Sequence, residues 1–208
     1  MANLEVLDWK KKKTGAVEVP EKMVNEELRK DVLHSIVRWQ LASRRAGTHD
    51  TRSRGDIAYS SAKPYKQKGT GNARQGNKAS MLLRGGAVAH GPHPRDYSFS
   101  MNKKVKQLGL RSAISYLYKE GRMFVVDEMT SKDGKTNELA GRLQNFGLNK
   151  VLMIDEKTDD MFERASRNLP KARYNSVEGL NVYDLLKYDA VIFSQASLGK
   201  VAQKCGVQ

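Results

Sequence analysis

Val151-Leu152-Met153-Ile154 (residues 151–154) is a wholly apolar run of four residues. So short a run with no polar side reads as a strand buried on both faces, because a helix needs a longer period of 3.6 residues. Working outward, Ala190-Val191-Ile192-Phe193 repeats the pattern and Met123-Phe124-Val125-Val126 supplies a third strand, with a weaker one at residues 172–175. Helical spacing fills the gaps at Thr136–Phe146, stopped by Gly147, and at residues 159–168 and 182–186. A helix over residues 196–204 ends the series, and one over residues 103–120 sets Leu110, Ala113, Ile114 and Leu117 on one face before Gly121. Apolar strands alternating with helices predict an α/β fold: a largely parallel sheet with helices on both faces, Rossmann-like and three-layered, joined by right-handed crossovers.

Nearer the N-terminus, residues 4–9 and 16–19 read as two strands around a turn at residues 10–15, a hairpin with Lys10–Lys13 solvated at its tip. Asn25 is placed to cap a helix with Glu26 and Glu27 in its first turn. Leu28, Val32, Ile36 and Trp39 then recur at helical spacing as far as about Arg45, which makes Trp39 a core residue.

The 208 residues are 39% apolar, enough for a packed core and one domain. No apolar run approaches the roughly 20 residues of a membrane-spanning helix. The N-terminus lacks an apolar leader, and Glu5, Asp8, Glu18 and Glu21 argue against a transit peptide. A single cysteine, Cys205, fits a reducing compartment, so the expected location is cytoplasmic.

Charge divides the chain more sharply than hydropathy does. Of a net +14, residues 44–104 carry +10, from 13 basic and 3 acidic side chains. That stretch also holds eight glycines and three of the five prolines, and no apolar period persists in it. It reads as a long basic internal loop, residues 46–102, inserted into a single α/β domain spanning 1–208. A solvated linker needs no such one-sided charge; a polyanionic partner does.

The enzyme alternative is a nucleotide-dependent reaction on a Rossmann-like body. Gly69-Thr70-Gly71-Asn72-Ala73-Arg74 starts as G-x-G, but Arg74 stands at the third glycine and no apolar strand leads in. Gly71 and Gly76 have P-loop spacing, yet Asn77 and Lys78 replace the required lysine and hydroxyl. His90 and His93, with Asp96 nearby, lack the cysteine and histidine partners of a structural zinc site, so local hydrogen bonding or RNA contact suits them better. No cofactor, metal or catalytic residue is expected.

Nucleic-acid binding fits the residue types. Arg44, Arg45, Arg52, Arg54, Lys63, Lys66, Lys68, Arg74, Lys78, Arg84, Arg95, Lys103 and Lys104 are candidates for phosphate contact, with Gln67 among them. Tyr59, Tyr65 and Tyr97 are spaced among these cations to stack on unpaired bases, although Tyr97 serves a small local cluster equally well.

Lys63-Pro64-Tyr65-Lys66-Gln67-Lys68-Gly69-Thr70-Gly71-Asn72-Ala73-Arg74 resembles the loop signature of the large-subunit ribosomal protein L-four family in its bacterial form. The run from Arg84-Gly85-Gly86 through His93-Pro94-Arg95-Asp96-Tyr97, followed by Asn102-Lys103-Lys104, resembles that family's second block. The resemblance implies an rRNA-binding structural component of the large subunit that acts early in its assembly, with no enzymatic activity. It also implies that Gln67, Lys68, Gly69, Thr70 and Gly71 form a tip lining the nascent-peptide tunnel near its constriction, opposite protein L-twenty-two. The implied partners are large-subunit rRNA, neighbouring ribosomal proteins and the nascent peptide, with no membrane and no homo-oligomer. Several positions depart from the family pattern: Tyr65 for a frequent Trp, Lys66 for Arg, Asn72 for Arg, Ala87 for Gly and His90 for an aromatic.

Overall fold

A computed structural model describes residues 1–131 and 133–207. Its strands β1 (Ala2–Leu7), β2 (Lys13–Val19), β3 (Met123–Val126), β4 (Val151–Asp155), β5 (Ala172–Ser176) and β6 (Ala190–Ser194) form one sheet in the order β2-β1-β3-β6-β4-β5. β1 and β2 pair antiparallel, and every other neighbour pairing is parallel. The helices are α1 (Glu21–Val24), α2 (Lys30–Ser43), α3 (Lys103–Lys119), α4 (Thr136–Phe146), α5 (Asp160–Arg167), α6 (Val182–Lys187) and α7 (Ser197–Lys204).

The alternation of the central strands sorts the core into two layers. Leu152 and Ile154 join Val191 and Phe193 in a cluster with Ile36 of α2, Ile114 of α3, Leu185 of α6 and Val201 of α7. Val151, Met153 and Ile192 face the other way, toward Leu139 and Leu143 of α4 and Phe162 of α5. Each such side chain, withdrawn fully from water, contributes about 1.5–3 kcal/mol before entropy is counted. The chain steps outward from β3 through α4 and α5 to β5, then turns back through α6 to β6. With right-handed crossovers, that reversal puts α6 on the opposite face from α4 and α5.

Local chemistry explains the helix ends. Gly147 closes α4 in the left-handed region at φ 70°. The Asp159 carboxylate accepts the Phe162 N–H at 3.1 Å to start α5, and Asn181 Oδ1 accepts the Asp184 N–H at 2.9 Å to start α6. Cys205 lies fully buried at the end of α7, and burial pushes its thiol up to about 12.

Two sequence expectations are corrected. The hairpin turn is shorter than residues 10–15: the Asp8 N–H donates to the Lys12 carbonyl and the Lys11 N–H to the Asp8 carbonyl, each at 2.8 Å, so Gly15 lies inside β2. Asn25 does not start a helix but follows α1, and α2 begins only at Lys30, leaving Leu28 exposed. The cause is tertiary. The N–H groups of Glu26 and Arg29 donate to the hydroxyls of Ser115 and Ser112 on α3, at 2.9 and 3.1 Å, instead of entering a helical ladder.

Contacts group the chain into two units: residues 1–41 with 99–208, which hold the sheet, and residues 42–98.

Candidate nucleic-acid interface

Residues 44–98 contain turns and bends but no helix or strand. What organises them is pairing between their two limbs. The Arg95 N–H donates to the Gly47 carbonyl at 3.2 Å, the Val88 N–H to the Arg52 carbonyl at 3.2 Å, and the Thr51 hydroxyl to the Pro92 carbonyl at 3.1 Å. Gly47 is required here: it sits at φ 62°, and a Cβ would stand 2.0 Å from the Arg95 carbonyl oxygen. Farther out, Ala87 N–H donates to the Ala79 carbonyl at 3.1 Å, and both alanines are buried.

Tyr97 forms the base of this stem. The guanidinium carbons of Arg45 and Arg95 lie 3.6 and 4.3 Å from its ring centroid, and its hydroxyl shares a 3.0 Å hydrogen bond with His49 Nε2. Of the two roles open to Tyr97, the local cluster is the one observed. Tyr65 is half-buried and donates its hydroxyl proton to the Ala73 carbonyl, while Tyr59 is exposed.

The three carboxylates of this unit are all engaged by uncharged or weakly basic donors. Asp50 accepts from the Thr51 N–H at 2.8 Å and is bonded to His93 Nδ1 at 3.1 Å. Asp56 accepts from the hydroxyl and N–H of Ser53, at 2.5 and 3.0 Å, and these bonds hold its carboxyl below the usual range. Asp96 is held low in the same way by the hydroxyl and N–H of Ser98. Among the described residues, Arg52, Arg54, Lys63, Lys66, Lys68, Arg74, Lys78 and Arg84 therefore have no carboxylate within 4 Å.

All the candidate cations in this unit are exposed, Arg44, Arg45 and Arg95 included, as is Gln67. Gly69 and Gly71 adopt φ 81° and 70° beside the half-buried Thr70, and a Cβ at either glycine would meet nothing within 4 Å. Lys103 and Lys104 belong to the sheet-bearing unit, where they open α3. Asn102 caps α3 without a side-chain bond and no acid lies in the first turn, so two ammonium groups sit at the positive end of the helix macrodipole. Such an end favours an anion. His90 has φ 47° and His93 bonds Asp50; no group of three metal-binding side chains occurs among the described residues.

The carboxyl ends of parallel strands are where α/β enzymes usually bind ligands. Here Asp155 at the end of β4 accepts from Ser194 Oγ at 2.7 Å, from the Glu156 N–H at 2.7 Å and from the Tyr174 hydroxyl at 3.0 Å. Burial raises the Tyr174 pKa, so the phenol stays a neutral donor.

Sequence reasoning missed a recess in the sheet-bearing unit, between α2, α3 and the entry to α6. Lys106 Nζ stands 3.8 Å from the centroid of the Trp39 ring at its edge. The signal was that Lys103 and Lys106 stand seven and four residues before Leu110, on the same face of α3 as the apolar stripe, legible only once α2 is docked beside it.

A model of the Ribosomal protein L4/L1 family matches residues 17–204. The Large ribosomal subunit protein uL4 of Bdellovibrio bacteriovorus is 51% identical over 208 residues, all of this chain and 99% of the relative. The proteins of that name from Geotalea daltonii and Rhodospirillum rubrum are 41% and 40% identical, over 97% and 93% of this chain and 97% and 94% of their own lengths.

Proposed function

The chain belongs to the Ribosomal protein L4/L1 family, and from that membership we propose that it is a structural constituent of the large ribosomal subunit whose residues 42–98 bind rRNA. The observation that carries this reading is the state of the excursion's charges. Its carboxylates are taken up by Thr51, Ser53, His93 and Ser98, so the exposed arginines and lysines are left for an external polyanion.

In this reading the Rossmann-like body is a scaffold, and the excursion threads between rRNA helices. The tip at Gln67, Lys68, Gly69, Thr70 and Gly71 lines the nascent-peptide tunnel at its constriction, facing protein L-twenty-two. Open space around Gly69 and Gly71 supports close approach of the backbone to RNA or peptide. Early participation in assembly follows from the same charges, which attract unfolded rRNA before other contacts exist.

Fractionation tests the reading. Tagged full-length protein is expected to co-sediment with the large subunit after a moderate-salt wash; recovery only from the free protein pool overturns it.

A further inference from the structure

We infer that the recess between α2, α3 and the entry to α6 holds one unpaired nucleotide of the rRNA, with phosphate on the lysines at its mouth and the base against its apolar wall. This deepens the proposed RNA-binding role and adds a contact on the sheet-bearing unit.

The recess measures about 290 Å³. That is the lower end of small-molecule sites, which start near roughly 300 Å³, so it suits a single nucleotide better than a larger ligand. Ile36, Leu110, Leu180 and Val182 make its wall, and Lys103, Lys106 and Lys204 its charged rim, with no carboxylate among the lining residues. An apolar recess whose only charged lining groups are cations selects an occupant with a flat apolar body and a negative group.

Two of the three rim lysines are held in place. Lys106 is fixed by its cation–π contact with Trp39. Lys204 Nζ donates to the carbonyls of Val177 and Glu178 at 2.8 and 2.6 Å, leaving its third proton for an anion. Gln40 Oε1 accepts the Tyr183 N–H at 3.0 Å, so its amide nitrogen remains a donor beside the recess, where Gln107 adds a second amide. Two amides next to an apolar wall suit the hydrogen-bonding edge of a base, as in proteins that read splayed-out RNA. An acidic peptide would use the lysines, but its carboxylate side chains bring no flat apolar body to cover the wall.

The test uses the full chain. The protein has two tryptophans, so Trp9→Phe leaves Trp39 as the sole indole reporter. AMP and UMP should quench its fluorescence saturably, and inorganic phosphate should do so more weakly. Lys106→Gln should weaken AMP binding about tenfold, the loss of one charge-assisted hydrogen bond, while Lys171→Gln at the exposed turn before β5 leaves it unchanged. The indole N–H shift of Trp39 in unsubstituted protein gives the same readout if Trp9→Phe perturbs folding. In purified large subunits, ultraviolet irradiation should cross-link rRNA to a peptide containing Trp39 or Gln107. Absence of mononucleotide binding, saturable binding of an acidic peptide in its place, or a protein cross-link at these residues overturns the inference. Protein that sediments with the subunit but fails these tests overturns this site alone; protein that does not sediment overturns the RNA-binding reading as well.

Discussion

Ser112 and Ser115 lie on the buried side of α3, and each hydroxyl makes two bonds to the backbone of α1 or of the segment that follows it. Ser112 Oγ accepts the Arg29 N–H and donates to the Glu27 carbonyl at 3.0 Å; Ser115 Oγ accepts the Glu26 N–H and donates to the Met23 carbonyl at 3.1 Å. Removing one hydroxyl strands a backbone donor and an acceptor away from water. Ser112→Ala is therefore expected to lower unfolding free energy by about 1–3 kcal/mol, measured by urea denaturation. An unchanged midpoint would mean that water replaces the serine. Tyr97 acts at the same scale but on charge: by gathering Arg45 and Arg95 around one ring it fixes two guanidinium groups that would otherwise swing freely.

Between elements, close approach is controlled by residues without side chains. Gly109 lets α3 sit against α2, because a Cβ there would stand 2.0 Å from Ile36 Cδ1 and force that buried side chain to shift. Gly109→Ala is expected to cost about 1–3 kcal/mol by overpacking, visible as a lower melting temperature. Gly47 does the same for the stem of the excursion. Gly47→Ala should break the bond between the Arg95 N–H and the Gly47 carbonyl, speed tryptic cleavage within residues 42–98 and reduce incorporation into the large subunit. Gly76→Ala is the control, since a Cβ at Gly76 meets nothing within 4 Å. Equal proteolysis of both variants would show that the limb pairing does not order the segment.

At the scale of the whole molecule, charge and packing are segregated: one unit holds the sheet and both core layers, and residues 44–104 hold +10 of the +14. If about half of the 13 cations there meet phosphate, log affinity for rRNA should fall against log salt with a slope of roughly −4 to −5. A slope near zero would remove the electrostatic basis of the proposed role. The strands around Val151, Ala190 and Met123, the helix stop at Gly147 and the site of the charge were all legible in sequence, because each depends on neighbours within one or two turns of chain. The late start of α2 was not, because its cause is a pair of serines more than 80 residues away. Nor was the cluster around Tyr97, which needs His49, 48 residues earlier, or the recess at Trp39, whose wall comes from three separate stretches of chain. Periodicity and charge are local properties that the sequence determines alone. Which donor meets which acceptor across the chain is decided only when the sheet brings distant segments together.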